Sequence, residues 1–320
     1  IKELRLNMIA QETTALKAPK KNLWKDVKRH YSVYALLVIP AVYYAVLKYG
    51  AIVNGQIAFK SFLPADGIWG SSWIGFRNFV DFFQSFYFGE LLRNTIFYSL
   101  LKLVISVPLS IILAVTLYEC THDILRRVVQ TLAYLPHFLS WVIMYGILLV
   151  LLAPGDGMVN DIVKFFGGDP VDFLTNTHTF PAIVIISDAW KEMGWAAIIF
   201  IAALMGIDPS LFEAAMVEGA SAVQRVWYIT IPSIKPVIVT VVLLKLGTVL
   251  DAGFNQMFML YSVPVYSVAD IIDTWVYRQG LLQFKFALAT AVGIFKGVIG
   301  MLLVMASNAV TKKLADSSLL

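Results

Sequence analysis

The chain has 320 residues, of which 59% are hydrophobic and only 14% charged, with a formal charge of +4. Soluble domains carry about 45–50% apolar and about 25% charged residues, so this composition excludes a soluble globular protein and identifies an integral membrane protein. The basic balance then points to topology signals and anionic lipid rather than nucleic acid, and the lone Cys120 excludes an intrachain disulfide and any CxxC metal or redox motif.

Residues 1–30 hold Lys20, Lys21, Lys25, Lys28 and Arg29 among other basic residues and few acids, which predicts a cytoplasmic arm. No cleavable signal peptide is evident, because the first apolar run, about 31–53, is long enough to stay as a span. Residues 54–90 read as an external segment, with a turn signal at Pro64-Ala65-Asp66-Gly67 and aromatics suited to the headgroup region. A second span covers about 92–118, and a short inner loop with His122, Arg126 and Arg127 leads to a third at about 128–152. The Gly/Asp-rich segment that follows has Lys164 as its only base and fits the outside. Further spans are expected at about 179–204, 237–261 and 286–310, with 262–285 outside and Lys312 and Lys313 marking a cytoplasmic tail over 311–320. The prediction is an all-α membrane domain over 31–310 with about six transmembrane helices, both termini inside, no internal repeat and no soluble domain.

Between the fourth and fifth spans lies Asp208–Pro236, the longest run away from the termini that is unfit for lipid; it carries Glu213, Glu218, Arg225 and Lys235. Its local signals specify two short helices. Asp208 before Pro209 is an N-cap with proline at the first helical position. Gly219 suits the left-handed residue that ends a helix. Ser221 with Gln224 three residues on is a capping box that opens a second helix, and Pro232 is expected to stop it. A stiff, capped, polar helix pair projecting from a membrane domain reads as a docking element.

Glu213-Ala214-Ala215, three residues, Gly219, nine residues and Ile229-x-Ile231-Pro232 resembles the EAA loop of binding-protein-dependent ABC importer permeases. That pattern ends Ile-x-Leu-Pro, and Ile231 replaces the leucine at similar volume. Gly75-Phe76-Arg77-Asn78-Phe79, Arg93-Asn94-Thr95, the run Ile201–Leu204 into Ile207-Asp208-Pro209, Trp227 and the long basic arm are similar to the carbohydrate-uptake branch. Within that branch the likeness is to permeases for complex or uronate-containing saccharides, and it covers about residues 75–310.

The resemblance implies a type I ABC importer fold with a cytoplasmic two-helix coupling loop. It also implies a bacterial cell membrane location, a second homologous permease chain, two ATPase subunits and an extracytoplasmic solute-binding protein. The chain would bind no cofactor itself, ATP and Mg being held by the partner ATPase. Glu213 would meet a basic residue of the ATPase cleft, Ala214 and Ala215 would keep the helix thin, Gly219 would make the turn, and Ile229, Ile231 and Pro232 would fix the exit into the fifth span. The mechanism implied is alternating access driven by closure of the ATPases.

Ionisable groups inside spans are costly and ask for a function. Asp188, Lys191 and Glu192 fall at i, i+3 and i+4 on one face of the fourth span, flanked by Trp190 and Trp195. They could neutralise one another while facing a water-filled cavity in which aromatic rings pack on sugar faces and carboxylates bond hydroxyls; the alternative is snorkelling at the boundary. Asp251 and Asn255 form an i, i+4 pair beside Phe254 in the fifth span, with interhelical hydrogen bonding as the alternative for Asn255. Trp141 falls at i+4 from His137, and His137, after Pro136, reads as a structural hydrogen-bonder. Lys102 and Lys296 read as packing or boundary residues, and Gly293, Gly297 and Gly300 as close helix contacts.

No Walker A motif exists: the nearest sequence, Gly50 to Gly55, is followed by Gln56 in place of lysine. No HExxH or GxSxG occurs either. The expectation is a transport subunit rather than an enzyme, whose ATP hydrolysis belongs to another chain. Alternatives are an importer permease for a non-sugar solute, an ion-coupled secondary transporter built on inverted repeats, or a membrane enzyme using Asp188 and Glu192 as an acid/base pair.

Overall fold

The computed structural model describes residues 28–315, with side chains to residue 309. The basic arm, apart from its last residues, and the end of the C-terminal tail lie outside the described residues. The chain divides into two compact units, one ending at Gln56 and one starting at Ile57.

The described residues of the first unit are helical. Helix α1, Tyr31–Tyr43, runs through a π-helical turn, Tyr44–Tyr49, into Gly50–Asn54. No residue of it is buried, and Leu36, Ile39 and Ile52 are all more than 70% exposed. A helix apolar all round, with nothing buried, is suited to lipid.

In the second unit, among the described residues, no β-strand forms; Lys60 and Trp73 make an isolated antiparallel bridge. A short helix, α2 (Arg77–Phe83), precedes α3 (Phe88–Glu119), 32 residues long and about 48 Å, more than a bilayer's hydrocarbon core needs. Helix α7 (Phe180–Leu204) lies along α3 in the most extensive helix pairing of the unit. Three apolar clusters follow α3: Leu91 with Phe82, Ile272 and Trp275; Tyr98 with Phe180, Val184 and Met257; and Val107 and Ala114 with Ala197, Phe200 and Ile234.

The third span is not one helix over 128–152. Helix α4 (Asp123–Tyr134) ends in a 3₁₀ turn, Leu135–Phe138, and α5 (Trp141–Leu151) restarts at a 110° bend. Pro136 sits in the turn, and Ser140 caps the new helix by accepting the amide of Ile143 at 3.3 Å. At 11 residues α5 is about 16 Å long, roughly half a membrane. Helix α6 (Met158–Phe165) follows.

Helix α7 turns through 78° into α8 (Pro209–Val217). The second helix of the loop is not a separate short helix ended by Pro232. It is the start of α9 (Ala222–Gly247), which passes through a π-helical turn at Val226–Thr230 just before the proline. An interior proline cannot donate an i→i−4 bond, and Pro232 falls at the second position of the α-helical stretch that follows that wide turn.

The fifth span is also broken. After Gly247 the chain unwinds over Thr248–Gly253, where Ala252 (φ 47°) and Gly253 (φ 80°) are left-handed, and α10 (Phe254–Leu260) resumes. Helix α11 (Ile272–Tyr277) and a π-helical turn lead to α12 (Phe286–Ala315).

The expected glycine contacts on α12 are corrected in part. A Cβ at Gly293 or Gly297 would meet nothing within 4 Å, and only Gly300 approaches a neighbour, the carbonyl of Gly247 at 3.4 Å. Close approach does demand glycine at Gly194, where a Cβ would lie 2.0 Å from the Ala133 carbonyl oxygen. Any side chain there would push α4 off α7.

Candidate functional site

The loop after α7 has the caps its sequence specifies. Asp208 accepts the backbone N–H of Ser210 at 2.9 Å, and this bond holds its carboxyl below the ordinary carboxylate range. Gly219 adopts φ 79°. Ser221 and Gln224 close a reciprocal capping box at 2.8 and 3.3 Å. Glu213 and Ala214 are exposed, Ala215 and Ile229 half-buried, and Val217, at the tip of α8, is 89% exposed. Ile231 is half-buried and Pro232 exposed. With Leu211, Met216, Val223 and Trp227 also exposed, the loop presents a mixed acidic and apolar knob on a backbone fixed by its own caps. Such a surface is suited to burial against another protein.

The second region is a pair of cavities built around the break in the fifth span. One, about 830 Å³, is lined by Trp141, Asp251, Phe254, Asn255, Tyr277 and Lys296 among others. The other, about 330 Å³, shares Trp141, Asp251 and Gly253 with it and adds Lys102, Asp188, Glu192 and Lys245. The left-handed break is what turns Asp251 and Asn255 toward one cavity. They are not one face of a continuous helix, as their spacing suggested. Asn255 makes no side-chain hydrogen bond among the described residues.

Buried charges inside a membrane domain must be matched, and the structure shows how. Asp188 lies 3.3 Å from Lys102 Nζ, and Ser106 donates to its other oxygen at 3.4 Å. Lys102 also donates to the Ala252 carbonyl at 3.0 Å and to Gln256. Gln256 in turn donates to Val184 O at 2.7 Å and to Ser187 Oγ at 2.9 Å. This network ties α3, α7 and the left-handed break together. A Cβ on Gly253 would come within 2.4 Å of Lys102 Nζ, so glycine is required there by both space and φ. Lys296 binds Asp251 at 3.0 Å and both oxygens of Asp273 at 2.6 and 2.7 Å.

The sequence-predicted trio is therefore divided. Asp188 and Glu192 line the smaller cavity, but Lys191 does not neutralise Asp188. It is 5% exposed and donates to the carbonyls of Pro136, His137 and Leu139 at 3.2, 2.5 and 2.9 Å. Those carbonyls lose their helical partners at the bend between α4 and α5, so Lys191 is a strut for that bend. Trp190 lines neither cavity. Within the trio Lys191 does pair with Glu192, at 3.8 Å; Glu192 also meets His137 Nδ1 at 3.0 Å, and the His137 ring stacks on Trp195 with centroids 4.5 Å apart.

Lys102 and Lys296, read from the sequence as packing or boundary residues, are the charge partners of Asp188 and Asp251. The signal that could have found them was the presence of lysines and aspartates in the same set of spans, each too costly to stand alone. Gln256 and Tyr277 carried no such signal. Among the described residues no three of His, Cys, Asp and Glu are grouped so as to hold a metal.

Residues 106–316 match the family described as binding-protein-dependent transport system inner membrane component. The polygalacturonan/rhamnogalacturonan transport system permease protein YteP of Bacillus subtilis (strain 168) is 39% identical over 300 residues, 94% of this chain and 93% of that protein. Protein LplB of the same organism is 36% identical over 310 residues, 97% and 98% of the two chains. Among solved structures, a chain of a bacterial ABC transporter involved in the import of the acidic polysaccharide alginate superposes with a TM-score of 0.86 at 37% identity, covering 92% of this chain and all of that one. A chain of the bacterial alginate ABC transporter in complex with an alginate pentasaccharide-bound periplasmic protein gives the same TM-score at 36% identity, covering 93% and 100%.

Proposed function

Because the chain belongs to the family of binding-protein-dependent transport system inner membrane components and is a multi-pass permease subunit of a type I ABC importer, we propose that it forms, with a second homologous permease, the passage for an acidic oligosaccharide. The cargo is delivered by an extracytoplasmic solute-binding protein, and movement is driven by two cytoplasmic ATPase subunits that hold ATP and Mg. Both termini and the Asp208–Pro236 loop face the cytoplasm.

The observation that carries this reading is the exposed knob of α8 standing on a backbone locked by the Asp208 cap, the left-handed Gly219 and the Ser221–Gln224 box. In the mechanism, Glu213 meets a basic residue of the ATPase cleft, and Ala214 and Ala215 let the helix enter it. Closure of the ATPases moves the loop as a rigid body. Because α8 follows α7 directly and the loop's second helix is continuous with α9, this motion passes into the helix that carries Asp188 and Glu192 on one side and into the break that holds Asp251 on the other.

The cargo assignment is supported by the names of two kinds of relative, one for polygalacturonan and rhamnogalacturonan and one for alginate. It is supported also by the cavities, where Trp141, Phe254 and Tyr277 offer ring faces to sugar while Asp251, Asn255 and Asp188 offer hydroxyl partners. Copurification followed by uptake in vesicles tests it. The chain is expected to bring down a second permease and an ATPase, and uptake of a loaded uronate oligosaccharide is expected to stop when that ATPase is inactivated. Uptake that continues, driven by an ion gradient, would contradict the assignment.

A further inference from the structure

Every acidic or basic side chain that lines the two cavities has a charge partner within the chain except one. Lys102 is matched by Asp188, Lys296 by Asp251 and Asp273, and Glu192 by Lys191 at 3.8 Å. Lys245 lines the smaller cavity beside Asp188 and Glu192, and its ammonium makes no ion pair or hydrogen bond among the described residues. It stands 14 residues beyond Ile231 on α9, about 21 Å along the helix, so it cannot snorkel back to the loop end. Ser99 lines the same cavity, and its buried hydroxyl also lacks a hydrogen-bond partner. An unmatched ammonium at this depth is costly and marks a pathway or a partner that is present only at some stage of the cycle.

Resting on the saccharide reading above, we propose that Lys245 is the carboxylate anchor of the cavity, binding the carboxylate of a uronate residue as the chain passes while Trp141, which lines both cavities, packs against a ring face. The geometry suits this division of work. The network of Lys102, Asp188 and Gln256 is internally satisfied and holds the wall in place. Among the lysines that line the cavities, Lys245 alone keeps its donors for an incoming oxygen, and a lysine ammonium can follow a moving carboxylate without a fixed bidentate geometry. A neutral sugar would leave the ammonium unmatched, whereas a uronate supplies the missing charge. The anchor therefore selects for acid groups inside the membrane, after the choice made by the binding protein.

The test compares tetragalacturonate with its fully methyl-esterified form, using the full complex in proteoliposomes with saturating binding protein. The quantity read is the ratio of the two uptake rates, for the wild type and for Lys245→Met. The variant is expected to lower that ratio about tenfold, the effect of losing one charge-assisted hydrogen bond; Lys245→Arg is expected to keep most of the preference. An unchanged ratio overturns the proposal, including the case in which both rates fall together because Lys245 pairs with a carboxylate of the second permease. If Lys245→Met does not assemble, Lys245→Gln is read in the same way. Failure of the wild type to carry tetragalacturonate at all would instead overturn the acidic-saccharide reading, and the anchor with it.

Discussion

Lys102 on α3 and Asp188 on α7 face each other at 3.3 Å, with side chains 10% and 16% exposed. The same ammonium binds the carbonyl of Ala252. One lysine thus joins the two helices that pair most extensively to the left-handed break of the fifth span. Removing one partner of such a pair leaves an uncompensated charge, which costs about 3–5 kcal/mol in a buried setting. Lys102→Met and Asp188→Asn are each expected to lower the thermal stability of the purified complex sharply. The double variant should lose less than the sum of the two, because no charge remains stranded. Additive losses would show that the two side chains do not act as a pair.

Gly219 is left-handed at φ 79°, in open space. Gly219→Ala meets no clash, so it is expected to cost about 1–2 kcal/mol of local backbone strain and to weaken transport moderately. Gly219→Pro cannot adopt that φ at all. It should assemble in the membrane, hydrolyse ATP and fail to carry cargo; normal uptake by this variant would remove the loop from the coupling path.

Asp208 accepts the Ser210 amide, and its carboxyl titrates below the usual range for that reason. A depressed carboxylate stabilises the fold above its unfolded pKa, and that contribution is lost as pH falls through the folded value. The protection factors of amides at the start of α8, taken against the intrinsic exchange rate at each pH, are therefore expected to fall on acidification in the wild type. In Asp208→Ala they should be low throughout, with no acid-dependent step.

Gly194 has no room for a methyl group, since a Cβ would fall 2.0 Å from the Ala133 carbonyl. Gly194→Ala is expected to force α4 and α7 apart at a cost of about 1–3 kcal/mol, seen as reduced yield of assembled complex. Gly293→Ala, whose Cβ would enter open space, should assemble normally.

The loop was legible in the sequence because each of its signals is local. A cap, a left-handed glycine and a capping box act over three or four residues, and the Asp208, Gly219 and Ser221 geometries follow from them. The long apolar helices were legible for a similar reason, since hydropathy needs no partner. The bend between α4 and α5 was missed because the apolar face of the amphipathic α4 runs on across Pro136 into the wholly apolar α5, and the strut that stabilises it, Lys191, comes from 55 residues away. The break before α10 was missed because Ala252, rather than a turn-forming residue, takes the first left-handed position. The pairing of Lys102 with Asp188 spans 86 positions (188 minus 102), and no periodicity within one helix encodes it.

The central claim is that the tip of α8 seats in a cytoplasmic ATPase, and a single cysteine at Val217, 89% exposed in the isolated chain, tests it most directly. With Cys120 replaced by alanine, Val217→Cys is expected to cross-link to the copurified ATPase and to be shielded from membrane-impermeant thiol reagents added outside intact cells. Labelling from outside, with no cross-link to any ATPase, would contradict the account.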